Sequence, residues 1–137
     1  MKDNKGITLI ALVITIIVLL ILAGVSIAML TGENGVLTQA TNASADTKVA
    51  EAKEIAGLDV SDLVAKYYEE RYVNSNTTGA NMTNAGAYVK ANLTTSDSDK
   101  YTVETSTKAI KIVPKARDGK TVTGTIENDG TITWTES

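Results

Sequence analysis

The sequence predicts an α+β protein: a long apolar helix first, an amphipathic helix next, and a small antiparallel β-meander at the C-terminal end. Three observations predict it. Ile7 to Leu30 runs without a charged residue. Apolar positions then recur at helical spacing as far as Tyr67. From Tyr101 onward, short runs rich in β-branched residues alternate with turn formers.

The apolar run comes first in the chain. It is interrupted only by Thr8, Thr15, Gly24 and Ser26. A helix rises ~1.5 Å per residue, so the run reaches roughly 36 Å, and ~20 residues suffice to cross a bilayer core. Being apolar all round, it needs lipid or other apolar helices around it. Lys2 and Lys5 precede it. Positive flanks stay on the cytoplasmic side, which sends the rest of the chain outward. A cleaved secretory signal has a shorter apolar core with a small-residue site close behind. Here the nearest A-x-A, Ala43-Ser44-Ala45, lies well beyond the run.

Thr31-Gly32-Glu33-Asn34-Gly35 follows, and its two glycines and asparagine predict a joint or a helix cap with positive-φ positions. From Val36 to about Tyr72 the composition turns helical. Ala45, Val49, Ala52, Ala56, Val60, Leu63 and Tyr67 fall on one face. Lys53, Glu54, Lys66, Glu69 and Glu70 then form a wet face, and Gly57 is a possible break. Residues 74 to 87 are almost all turn formers and read as a surface loop, leading into a short helix from Asn84 to Leu93 with Ala87, Val89 and Leu93 on its apolar side. Four strands are predicted: Tyr101–Thr105, Ala109–Val113, Thr121–Ile126 and Thr131–Thr135. In the last, Ile132 and Trp134 share one side, and the preceding Asp129-Gly130 is a hairpin cue.

Composition restricts the chemistry. With 137 residues, no Phe, one Trp and five Tyr, the core beyond the apolar run must be thin and built on Val, Ile, Leu and Ala. A net charge of −3 lacks the basic footprint of a nucleic-acid binder, so no nucleic-acid partner is expected. There is no His and no Cys. The commonest general base, the usual zinc ligands and any Ser–His pair are therefore missing. Asp97-Ser98-Asp99 with Glu104 lacks the glycine and the spaced glutamate of a calcium loop. Asn42, Asn76, Asn81 and Asn92 each open an N-x-S/T triplet, frequent by chance in an Asn- and Thr-rich chain. No catalytic residues, metal or cofactor are expected, and the chain does not read as an enzyme.

Lys5-Gly6 followed by Ile7-Thr8-Leu9-Ile10 and a long aliphatic helix resembles the N-terminus of a type IV pilin-like protein. The resemblance spans about residues 5 to 30. It implies that a prepilin peptidase cuts between Gly6 and Ile7, and that the new N-terminus at Ile7 is methylated. It also implies an assembly helix whose first turns carry Leu9, Ile10, Ala11 and Leu12, then Val13, Ile14, Ile16 and Ile17. Three departures are visible: the family most often has Phe or Met after the glycine, where Ile7 is a tolerated variant; it usually has a glutamate where Ala11 stands; and its helix-kinking proline is missing, since Pro114 is the single proline. A carboxylate in lipid is expensive and marks a function. Ala11 thus makes an easier anchor without the electrostatic registration device, and leans toward a minor subunit.

The expected organisation is a leader at 1–6, a transmembrane and assembly helix at 7–31, a joint and amphipathic helix at 32–72, and a loop, short helix and sheet at 73–137, pilin-like in outline. The expected function is a structural subunit of a type IV pilus-like or pseudopilus filament. Its partners would be sister subunits, prepilin peptidase and membrane lipid. It would be single-pass in the cell membrane before processing, N-terminus cytoplasmic, and part of an extracellular surface filament afterwards. Two alternatives stand beside it: an uncleaved, membrane-anchored display or binding domain, and a minor pseudopilin of a secretion or DNA-uptake system.

Overall fold

The computed structural model describes residues 3–73 and 81–137. Its layout is α+β, with helices α1 (Asp3–Thr31), α2 (Val36–Tyr72) and α3 (Ala85–Asn92). Strands β1 (Tyr101–Val103), β2 (Ile110–Ile112), β3 (Val122–Ile126) and β4 (Ile132–Glu136) follow. The chain divides into two compact units, the first ending at Ala43 and the second beginning at Ser44.

In the first unit, α1 closes with the Gly32 amide donating to Ala28 O at 3.0 Å. The break expected at residues 31–35 is there, but without left-handed residues: the glycines with positive φ are Gly119 and Gly130. Gly35 is needed for a different reason. A Cβ there would sit 2.6 Å from the Leu30 carbonyl oxygen, closer than any side chain tolerates. The joint's backbone groups are satisfied locally. Gly32 O accepts from the Gly35 amide at 2.7 Å and from the Thr38 hydroxyl at 3.0 Å.

The second unit is a four-stranded antiparallel meander in the order β1-β2-β3-β4, with α2 and α3 contributing to its core. Val49, Ala52, Ala56, Val60 and Tyr67 of the helical stripe are buried, whereas Ala45 and Leu63 are half-buried. Ala52 and Ala56 are fully covered, and their small side chains let the backbone of α2 approach its neighbours closely. α2 continues unbroken through Gly57. The strands supply Tyr101, Ile110, Ile112, Val122 and Ile126 to the same core. Fully burying one such side chain stabilises by roughly 1.5–3 kcal/mol, so a core this thin depends on every member.

Two features of α2 and α3 depart from the sequence reading. Lys53 and Glu70 were expected on a wet face, but both are half-buried. Lys53 Nζ lies 5.6 Å from the centroid of the Trp134 ring, a cation–π distance, and Glu70 accepts the Tyr88 hydroxyl at 3.0 Å. In α3 the apolar side is Tyr88, Val89 and Leu93 with Ala85, while Ala87 is half-buried. Its amide at 2.8 Å is instead the donor that the Asn84 side chain caps. The predicted strands are all present and end one or two residues short of several expected limits.

The turns of the meander are held by bonds among their own residues and by pairs to α2. The β3–β4 turn places Gly130 at φ +87°, and Asp129 Oδ1 accepts from both the Thr131 amide (2.9 Å) and its hydroxyl (2.6 Å). The β2–β3 loop carries a 3-10 turn at Arg117–Gly119, and Arg117 grips Asp46 of α2 through Nε at 2.9 Å and Nη2 at 2.5 Å. Lys100 pairs with Glu51 at 2.9 Å. These exposed pairs orient the loops on α2 and contribute little stability each. Asp97 makes a local turn, accepting from the Asp99 amide at 3.0 Å, and Glu104 pairs with Lys111 at 3.1 Å.

Candidate membrane and assembly helix

α1 positions every residue singled out from the sequence at its N-terminal end. Gly6 and Ile7 lie in its first turns, followed by Leu9, Ile10, Ala11, Leu12, Val13, Ile14, Ile16 and Ile17. All are exposed. Every large aliphatic side chain of α1 is between 46% and 70% exposed, from Val18 to Met29. Among the described residues, one helical stretch, near the N-terminus, is long and apolar enough to cross a membrane.

The hydroxyls of this helix carry a feature that the apolar pattern alone does not reveal. Thr8, Thr15, Ser26 and Thr31 each donate to the carbonyl four residues back, at 2.7, 2.7, 2.8 and 2.9 Å. A hydroxyl in hydrocarbon without a partner is costly. Here the helix satisfies its own polar side chains, and the surface it offers is uniformly apolar from Ile7 to Leu30. The signal was available in the sequence: isolated Thr and Ser in an apolar helix can bond back to the preceding turn.

Around Gly6 nothing lies within 4 Å of the position a Cβ would take. The helix itself makes no demand for glycine there. A glycine in a helix costs about 1 kcal/mol against alanine, so the first turn opens more easily at this point. Ala11 presents no polar group beyond its backbone, and its carbonyl is the acceptor for Thr15.

The second unit offers less chemistry. A polar cleft of about 260 Å³ is lined by Asp59, Asp62, Lys66, Asn92 and Ser96 among others. Asp59 already accepts hydrogen bonds from the Tyr101 hydroxyl at 2.5 Å and from the Ser96 hydroxyl. Both bonds fall on Oδ2, so this carboxylate ties β1 and the segment before it to α2. Near the C-terminal end of α2, Tyr67 packs 5.7 Å from Tyr88, and Arg71 donates to the Tyr67 hydroxyl at 3.0 Å. Neither grouping was visible as a unit in the sequence, because α3 reaches it only through the fold. Half of the display loop expected at residues 74 to 87, at 74–80, lies outside the described residues; the other half forms a turn and the start of α3.

Comparison with family models, with curated proteins and with solved structures finds no match to this chain.

Proposed function

We propose that the chain is a structural subunit of a type IV pilus-like or pseudopilus filament, held in a cell membrane by α1 before assembly. The observation that carries this reading is the aliphatic surface of α1, exposed on all sides with its hydroxyls turned onto its own carbonyls. At ~25 cal/mol per Å² such a surface is not left in water. Lipid covers it in one state and sister helices in the other, so extraction from the membrane is coupled to packing in the filament.

The junction Lys5-Gly6-Ile7 supports the rest. The helix needs no glycine at position 6, and in this reading the requirement comes from a prepilin peptidase that removes residues 1–6. Ile7 becomes the methylated N-terminus. Lys2 and Lys5 hold that end on the cytoplasmic side, and residues 44–137 lie outside, on the surface filament once assembled. The partners are sister subunits, the peptidase and membrane lipid. No catalysis, cofactor or nucleic acid enters the reading.

Ala11 favours a second reading of the same helix. Without a carboxylate to register neighbours, the chain suits a minor pseudopilin of a secretion or DNA-uptake system, or an uncleaved anchor that displays the α+β unit. Comparing the unmodified chain with Gly6→Leu in the native host separates the processed forms from the anchor, because only a processed chain is short before the change and full-length after it. The filament reading expects a full-length chain, retained in the membrane fraction and missing from sheared filaments. A chain of mature length from the Gly6→Leu gene would contradict it.

A further inference from the structure

The two edges of the meander are built differently. Along β1, the ladder bonds from Val113 N to Lys100 O and from Glu104 N to Ala109 O point residues 100, 102 and 104 at β2. Tyr101 and Val103 therefore face the open edge, and the Tyr101 amide is already bound to Asp97 O at 3.1 Å. The strand is three residues long and flanked by Lys100 and Glu104. Short length, charge and a local cap are the usual means of closing an edge.

β4 is longer, has no local cap, and carries a single charge, Glu136, at its end. Thr121 and Ser137 exchange both backbone bonds, at 2.9 and 3.0 Å, and Glu127 N donates to Thr131 O at 2.8 Å. With the register Thr123↔Thr135 and Thr125↔Thr133, the odd-numbered residues of β4 bond to β3. The amides and carbonyls of Ile132, Trp134 and Glu136 point outward, and among the described residues they make no hydrogen bond. The strand is five residues long, Ile-Thr-Trp-Thr-Glu, with no Lys and no Pro. It is the kind of edge to which another strand adds.

We propose that β4 is a homotypic docking edge, pairing antiparallel with β4 of a second copy of this chain about a two-fold axis at Trp134. The register is what identifies the occupant. Centring on Trp134 sets Trp134 against its own copy and Ile132 against Glu136, the open groups of each strand meeting the open groups of the other. Thr133 then faces Thr135 of the second copy in the close, non-hydrogen-bonded position, a favourable cross-strand pair. Glu136, the one charge of the strand, meets Ile132 and never its own copy. The two four-stranded sheets become one of eight. This inference does not depend on whether residues 1–6 are removed.

The chain contains no cysteine, which makes the register directly testable. Full-length protein in detergent micelles is prepared as Thr133→Cys and as Thr135→Cys, both at exposed positions. Facing residues of a non-hydrogen-bonded pair lie within disulfide reach. Mixing the two variants under mild oxidation should give a 133–135 crosslinked dimer several-fold faster than either variant alone. No crosslink in the mixture, or equal crosslinking by each variant alone, would overturn the proposal. A second pair of variants tests it without oxidation, by sedimentation of the full chain. Thr133→Lys with Thr135→Lys opposes like charges and should leave monomer, whereas Thr133→Lys with Thr135→Glu opposes unlike charges and should restore the dimer. Indistinguishable association by the two would equally overturn it.

Discussion

Gly124 and Trp134 face each other across the β3–β4 ladder, and the indole fills the space a side chain at 124 would need. A Cβ on Gly124 would lie 2.6 Å from Trp134 Cζ3 and 2.8 Å from Ile132 Cγ2. Glycine inside a strand usually weakens it. Here it admits the ring to the inner face of the sheet, under Lys53 of α2.

Gly124→Ala should therefore cost about 1–3 kcal/mol by overpacking. Trp134 is the single tryptophan, so its emission reports the change without ambiguity. Urea unfolding of the full chain in detergent should show a lower midpoint and red-shifted native emission. An unchanged midpoint would mean that the ring moves aside freely.

Two further glycines, Gly86 and Gly57, should respond in opposite directions. Gly86 presses on the β3–β4 turn, where a Cβ would collide with the Glu127 carbonyl and lie 2.8 Å from Asn128 Cα. Its amide also donates to Asn128 O at 2.9 Å. Backbone cannot yield as a side-chain tip does, so Gly86→Ala should lift α3 from the turn and cost about 2 kcal/mol or more. Gly57 lies within α2 with nothing within 4 Å of its Cβ position. There Gly57→Ala should stabilise by up to about 1 kcal/mol through helix propensity alone. Denaturant midpoints of the two variants, measured side by side, check both signs.

How much of this was legible in advance depends on whether a signal was local. The apolar helix, the span Val36–Tyr72 and the Asp129-Gly130 turn need only neighbouring residues, and each appears where the sequence places it. Trp134 could be assigned to the inner side of β4, but not its fit against Gly124, because that depends on register between two strands. Lys53 and Glu70 were misplaced for the same reason: helical periodicity shows a face and does not show which long side chains reach over its border. Gly35 was correctly marked as a break and wrongly given a positive φ, since a glycine can be required by a close carbonyl as well as by a left-handed turn. For α1 the apolar run announces the need for cover. What covers it is a property of other molecules, and no residue pattern within one chain specifies it.

Stability should fall at alkaline pH in a way that depends on Tyr101. Burial, then the hydrogen bond to Asp59, raises the pKa of this phenol above its ordinary value of 10.0. Tyr88 is raised likewise, by burial first and then by Glu70. Lys66 and Lys100 are raised by their hydrogen bonds to Asp62 and Glu51. A group whose pKa is raised on folding stabilises the protonated fold below its unfolded pKa and loses that contribution as pH climbs through the folded value. The urea midpoint should thus be level up to about pH 9–10 and decline above it. Tyr101→Phe should cost about 1.5–3 kcal/mol at neutral pH, the weight of a hydrogen bond to a carboxylate. It should also show a shallower alkaline decline, with Tyr88 and the lysines retained. An alkaline limb as steep as that of the unmodified chain would remove Tyr101 from the account.

In the proposed function, α1 is an assembly helix released by a cut after Gly6. Intact mass with N-terminal sequencing of the protein taken from its native cells addresses it most directly. The expected chain lacks residues 1–6 and begins at N-methylated Ile7. A chain beginning at Met1 would contradict it and leave α1 as a permanent anchor.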